Sequence, residues 1–401
     1  MRFKVARCMT VLILFAALPF SARAAAQNRP GHGQAPRYLI VNLGNGLGAK
    51  AGSAATSIDD LGLVAGSAFV GTGSVQHAVL WVYGFSFDLG SLGGPATSSS
   101  VVFPGLNDRG EVVGITETAT PDPLNEPWSC AAFITRAPGT SCVGFVWRNG
   151  VMTALPTLGG SNGFAAGVNN LGQVVGWAET AAQDPTCDHS QGQFRQFRAV
   201  VWGPNGQPAQ LPAFHGEPDQ AAVAINDKGQ IAGISGICGG SVGALSAKHA
   251  VLWEGGTVTD LGNNLGGVGW NTPLAINNEG VVVGFTNTAN DVTVLDWHAF
   301  VWTRSSGKEH DLGVLPGDVI SEATSINDQG QIVGVSFGAG FSHPRAVVWL
   351  DGVATDMNSL PLSGASLTLT VANAINNRGD ITGTATDPDG NPVSFVAIPV
   401  D

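Results

Sequence analysis

One decapeptide recurs seven times along this 401-residue chain, and that recurrence limits the fold more than any other feature. It reads SIDDLGLVAG from Ser57, GLNDRGEVVG from Gly105, GVNNLGQVVG from Gly167 and AINDKGQIAG from Ala224. The series continues with AINNEGVVVG from Ala275, SINDQGQIVG from Ser325 and AINNRGDITG from Ala374. The Asn, replaced by Asp in the first copy, falls at 59, 107, 169, 226, 277, 327 and 376. A period of about 50 residues is that of a propeller blade, in which each repeat is one supersecondary unit unable to bury its apolar surface alone.

Two further motifs keep step with the decapeptide. The first is HAVLW (His77–Trp81), VGFVW (Val143–Trp147), RAVVW (Arg198–Trp202), HAVLW (His249–Trp253), HAFVW (His298–Trp302) and RAVVW (Arg345–Trp349). The second is FDLG (Phe87–Gly90), TDLG (Thr259–Gly262) or HDLG (His310–Gly313), degenerating elsewhere to ALP, QLP and TDM. Each unit therefore predicts four short strands, with A ending at IN, B at QIVG, C at HAFVW and D at TDLG. The Asn-Asp-x-Gly between A and B is a hairpin turn whose glycine supplies a positive φ. In WHAFVW, His298, Phe300 and Trp302 alternate with Ala299 and Val301, so one face is bulky and the other small. Both faces are apolar, which suits blades stacked face to face. The seventh unit ends with a C-like VSFVAI (Val393–Ile398) and no D, while RYLIVNLG (Arg37–Gly44) is an orphan D at the other end. Completing the last blade with that strand removes an open edge. The predicted fold is an all-β, seven-bladed propeller over 37–401. A linear β-solenoid is the alternative, but it has no use for such complementation.

LGG-x-x-x-x-A-x-x-IN-x-x-G-x-VVG followed by HAF-x-W and DLG resembles the bacterial extracellular HAF-repeat proteins. The likeness spans about residues 37–401 and implies an exported repeat protein of propeller type. It brings no activity or site residue with it. Asp59 in place of Asn, Val143-Gly144 in place of His-Ala, and Ala397 in place of Trp depart from the pattern.

Ahead of the repeats stands MRFKVARCMTVLILFAALPFSARAAAQ, with Arg2, Lys4 and Arg7 before an apolar run (Val11–Phe20) and small residues after it. This is the layout of a signal peptide, residues 1–26, cleaved after Ala24 or Ala26, with 27–36 as a linker. The run is too short to span a bilayer, so no membrane span is expected. Losing Arg2, Lys4, Arg7 and Arg23 takes the net charge from −12 to −16. Such an excess repels phosphate backbones and argues against nucleic acid as a partner. The expected partner is a surface glycan or protein, engaged by a monomer.

Cys130, Cys142, Cys187 and Cys238 remain, and an even count in an exported chain points to disulfides. Cys130 and Cys142 share one B–C insertion and are expected to pair; Cys187 and Cys238 lie in those of adjacent blades and can tie them together. None has C-x₂-C spacing, so no metal site is assigned.

The B–C insertions of blades 2 to 5 are the longest connections, spanning Thr116–Cys142, Ala178–Phe197, Ser235–Lys248 and Thr286–Trp297. Variable loops on a rigid scaffold are where binding resides, so the functional face is expected on the B–C/D–A side. Six tryptophans recur in register and serve the blades. Trp128, Trp270 and Trp297 fall outside it and are candidate exposed stacking platforms for a ligand. The D–A connections group His215, Glu217 and Asp219, and add Asp318 and Glu322; carboxylates at a channel mouth suit glycoside chemistry or Ca²⁺, against the plainer reading of solvated loop charges. No nucleophile-elbow, zincin or sialidase-type motif occurs. A non-enzymatic binding module is favoured, with a polysaccharide hydrolase or lyase as runner-up. His298 shares its slot with His77, His249, Arg198 and Arg345, at separate points around a ring, and is expected to be a polar tip, not a metal ligand.

Overall fold

The computed structural model describes residues 35–400 except 72, 127, 135–138, 189–191, 239–246, 268 and 290–295. The expected signal peptide, residues 1–26, and nearly all of the expected 27–36 linker lie outside the described residues. Seven sheets follow one another, six of four strands and the last of five, each carrying an antiparallel blade hydrogen-bonded in the order A-B-C-D. Blade 5 is representative: Asn271–Ile276, Val282–Asn287, Trp297–Thr303 and Lys308–Asp311. Strands A of successive blades neighbour one another around the axis, and the result is the seven-bladed propeller.

The last sheet closes as the repeat pattern predicts. Thr368–Ile375, Ile381–Thr386 and Pro392–Val400 supply A, B and C, and Arg37–Gly44 pairs antiparallel with the last of these, Arg37 opposite Val400. A fifth strand that the pattern did not announce, Leu362–Gly364, lies parallel to Arg37–Gly44 on its outer side. Blade 2 departs inward: its strand A shrinks to Ser99–Ser100, followed by Pro104, which has no N–H to give a ladder.

A register shift recurs between strands A and B, for instance between Ala222 and Ala224 or Ala323 and Ser325. It brings the carbonyl of strand A against the glycine that ends each decapeptide. A Cβ on Gly334 would lie 1.9 Å from the Glu322 oxygen, and one on Gly233 would lie 2.2 Å from that of Ala221. This close approach, rather than a turn, is why the decapeptide ends in glycine.

Blades stack large face on small face. Phe300 and Trp302 pack with Ala232, Ala250 and Leu252 of blade 4, whereas Ala299 and Val301 meet Trp349 of blade 6. In three blades the recurring tryptophan also binds the preceding blade through its indole N–H: Trp202 donates to the Pro156 carbonyl at 2.8 Å, Trp253 to Pro212 at 2.9 Å and Trp349 to Leu312 at 2.7 Å. The polar tip of strand C has a partner one strand away. His77 bonds Asp88 (2.8 Å), His249 bonds Asp260 (3.2 Å) and His298 bonds Asp311 (2.9 Å), each the Asp of a DLG motif. That bond raises the His298 pKa, partial burial opposing it. These histidines are blade residues.

The decapeptide asparagines do more than turn the chain. Asn169 accepts from the N–H of Leu171 and Gln173 through Oδ1, and its Nδ2 donates across to the carbonyl of Asn226 in the next blade at 3.0 Å. The glycines that follow, such as Gly172 (φ 75°) and Gly229 (φ 76°), hold the left-handed turn conformation.

Candidate functional site at the channel mouth

The two ends of the channel differ in chemistry. The end bearing the A–B turns is a polar vestibule of about 170 Å³, lined by the Asn and Asp of the decapeptides. Toward the B–C side the channel widens into an apolar cavity of about 320 Å³. Its walls come from strands A and B and the adjoining segments of all seven blades, with Phe103, Phe164, Trp177 and Phe285 on one arc and Thr56, Thr324 and Asn373 on the other. The second arc offers little unspent polarity, since Thr56 donates to Val101, Thr324 to Ala372 and Asn373 to Ala55, all backbone carbonyls.

Phe133 reaches this wall from the blade 2 insertion. It follows a short helix, Trp128–Ala131, and stacks on Phe164 at 4.5 Å between ring centres. The disulfide Cys130–Cys142 (Cα–Cα 5.6 Å) anchors that helix to strand C, with both cysteines buried. A second disulfide, Cys187–Cys238, joins the insertions of blades 3 and 4. Both pairings match the sequence expectation. Asp184 lies within ligand reach of Cys187 and Cys238, but sulfurs tied in a disulfide have no thiolate to give a metal.

Buried carboxylates bind the insertions to one another. Glu126 accepts from the N–H of Phe194 and Arg195, linking blade 2 to blade 3. Glu179 accepts from the N–H of Ser161 and Asn162, and burial, with Glu126 nearby, pushes its pKa up to about 7.

The sequence candidates separate in the structure. Asp219 does not rim the channel: it is fully buried, accepts from Gln193 and from the Phe197 N–H, and is pushed up to about 8 by burial and by the adjoining Asp184. Glu217 accepts from Ser235 Oγ at 2.5 Å and sits 3.5 Å from His249. His215 is exposed and stacks on Phe214. Asp318 pairs with Arg345 at 2.8 Å. Asp219 and Asp318 are thus held by separate partners, while Glu217 and His215 both adjoin His249, and the reading of the set as freely solvated loop charges fails for Asp219 and Asp318. Of the set only Glu322 lines the cavity; burial raises its pKa, and it accepts from the Trp297 indole at 3.0 Å.

The three out-of-register tryptophans are likewise not free platforms. Trp297 is 2% exposed: it opens strand C, and its N–H satisfies Glu322 of the next blade. Trp270 packs on Trp297 at 4.7 Å, and Trp128 stacks on Trp177 at 5.1 Å, each half-buried. They build the walls behind the cavity. The aromatic residues that do face it, Phe103, Phe133, Phe164, Trp177 and Phe285, were missed. A signal was available for Phe103, whose place in strand A is taken by Ala55, Ala165, Ala222, Ala323 and Ala372 in other copies; Phe133, in an insertion, and Phe285, at a position that is also Ile115, Trp177 and Ile234, carried none.

No family model and no curated protein matches the chain. Solved structures that resemble it include an oligogalacturonate lyase from Vibrio parahaemolyticus (TM-score 0.46, 11% identity, covering 91% of this chain and 90% of that one). TolB from Acinetobacter baumannii (0.39, 9%, covering 84% and 80%) and a sucrose-6-phosphate hydrolase from Lactobacillus gasseri (0.30, 13%, covering 73% and 77%) are further examples. Among the described residues no helix is long and apolar enough to cross a membrane.

Proposed function

We propose that this is an exported binding module that receives an apolar side chain of a peptide or surface protein into the channel mouth. The observation that carries the reading is the 320 Å³ cavity itself, apolar on its blade 2 to 5 arc and framed by insertions that two disulfides hold in place. Ligand sites are concave, mostly apolar and largely pre-formed, and a pocket that buries one aromatic anchor is the usual centre of a protein interface. A sugar fits less well, because its hydroxyls need polar partners, whereas the wall is mostly apolar and Thr56, Thr324 and Asn373 already donate to backbone carbonyls. The disulfides and the basic-then-apolar N-terminal segment support an oxidising, extracytoplasmic location, and the repeat motifs support kinship with HAF-repeat proteins.

Selection from a displayed peptide library tests this. Enriched peptides are expected to share an aromatic or large aliphatic anchor and to lose binding to Phe164→Ser at unchanged disulfide content. Glycan-array binding without peptide enrichment would overturn the reading. The lyase or hydrolase alternative rests on Glu322 alone, a carboxyl of raised pKa facing the cavity. It requires oligosaccharide release that Glu322→Gln abolishes.

A further inference from the structure

At the polar end of the channel two rings of side chains circle the axis, and one seam breaks both. In the inner ring Asn107, Asn169, Asn226, Asn277, Asn327 and Asn376 each donate Nδ2–H to the backbone carbonyl of the next blade, at 2.8 to 3.0 Å. Asp59 holds the seventh place. Its Oδ1 accepts from the N–H of Leu61 and Leu63, the same two positions that the asparagines use. The side chain therefore has the asparagine pose, with Oδ2 where an amide N–H would face Asn107. That oxygen has no hydrogen-bond partner, and the residue is 3% exposed.

The outer ring runs Asp60, Asp108, Asn170, Asp227, Asn278, Asp328, Asn377, each accepting through Oδ1 from the backbone N–H of the preceding blade. Amides separate the carboxylates. Asn170 Nδ2 bridges Asp108 and Asp227, and Asn377 Nδ2 bridges Asp60 and Asp328. Seven places cannot alternate throughout, so one like pair must occur. It is an acidic pair, Asp60 beside Asp108, and it falls on the seam that holds Asp59. Three carboxylates there line one vestibule with no side-chain amide between them. The nearest basic residues are engaged elsewhere: Arg109 lies 3.7 Å from Glu111, and Arg378 bonds Asp380.

We propose that this seam is a divalent-cation site for Ca²⁺ or an ion of its class. Asp59 Oδ2 and the Asn107 carbonyl are the inner ligands, the Asp60 and Asp108 carboxylates lie on the vestibule side, and water completes the shell. The donors are all hard oxygens, as Ca²⁺ requires. The ion supplies the positive charge that an amide N–H supplies at the other seams, so it ties blade 1 to blade 2. Nothing in this depends on the cavity at the far end.

Calorimetric titration of EDTA-stripped protein with Ca²⁺ alone is the test. One ion per chain is expected, with a rise in Tm on binding. Asp59→Asn restores the amide, so it should weaken binding at least about ten-fold, ligand charge being what sets such affinities, while keeping Tm in EDTA at or above the parent value. Asp108→Asn provides the same binding readout should Asp59→Asn fold poorly. Asp122→Asn, among the insertions, should leave binding unchanged. The proposal is overturned by absence of Ca²⁺ binding at millimolar concentration, or by parental affinity in both seam variants.

Discussion

Gly334→Ala puts the recurring A–B register shift to a quantitative test. The new methyl carbon would lie 1.9 Å from the Glu322 carbonyl oxygen and 3.1 Å from the Ala323 Cα. Ordinary carbon–oxygen contact needs well over an ångström more, and the obstacle is backbone, which cannot rotate aside. Strands A and B must part locally and lose part of their ladder, a cost of about 3 kcal/mol or more. Over Pro36–Asp401, an unfolding entropy of about 2.1 cal/mol/K per residue sums to about 0.8 kcal/mol/K, so the expected fall in Tm is about 4 °C. Gly352→Ala is the matched control, with φ 78° and open space around it; a positive φ alone costs about 1 kcal/mol, or about 1 °C. Scanning calorimetry on both variants decides. If Gly334→Ala melts within about 1 °C of the parent, the close approach does not explain the glycine.

Stability should fall as pH rises from 5 to 8.5. Asp219 and Glu309 are pushed up to about 8, Glu179 to about 7 and Asp59 to about 6, chiefly by burial. The folded state thus holds protons that the unfolded chain releases near pH 4, and each group costs about 1.4 kcal/mol per pH unit inside its own window. A Tm in EDTA that climbs across this range would contradict the buried-carboxylate account. Replacing Cys130 and Cys142 together by Ala should lower stability by about 2–3 kcal/mol, as expected for a loop of separation 12; it should also reduce binding at the channel mouth, because Phe133 loses its anchor, and unchanged affinity would detach that residue from the site. Deleting Arg37–Gly44 should yield aggregates on size-exclusion chromatography, and a stable monomer would show that Pro392–Val400 needs no edge partner.

The sequence made the fold legible because each blade repeats the same local instructions: the turn, the alternation in strand C, and the missing strand D matched by Arg37–Gly44. Side-chain partners were harder to read wherever they come from another blade. Nothing near Asn169 reveals that its amide reaches Asn226, and nothing near Trp297 reveals that Glu322 takes its N–H; both pairings exist only once blades stack. The His298–Asp311 pair was closer to the surface of the text, since blades with His in strand C carry Asp in DLG, and blade 3, with Arg198, has Gln210 instead. Asp219 misled because a carboxylate beside a proline and a histidine in a connection resembles a solvated one until strand A is seen to begin there. The cavity was invisible for a related reason: its wall is assembled from a few residues of each of seven blades and of one insertion.

Closure by Arg37–Gly44 also sets an order of events. Blades 1 to 6 are contiguous in sequence and can stack one after another as the chain lengthens. The strand at 37–44 has no antiparallel partner until Pro392–Val400 exists. The entropic cost of joining such distant segments grows only logarithmically with their separation, but the waiting time grows with it, and an unpaired strand is an invitation to the wrong neighbour meanwhile. The molecule is most vulnerable just before it is finished, and the same contact that ends the vulnerability locks the ring.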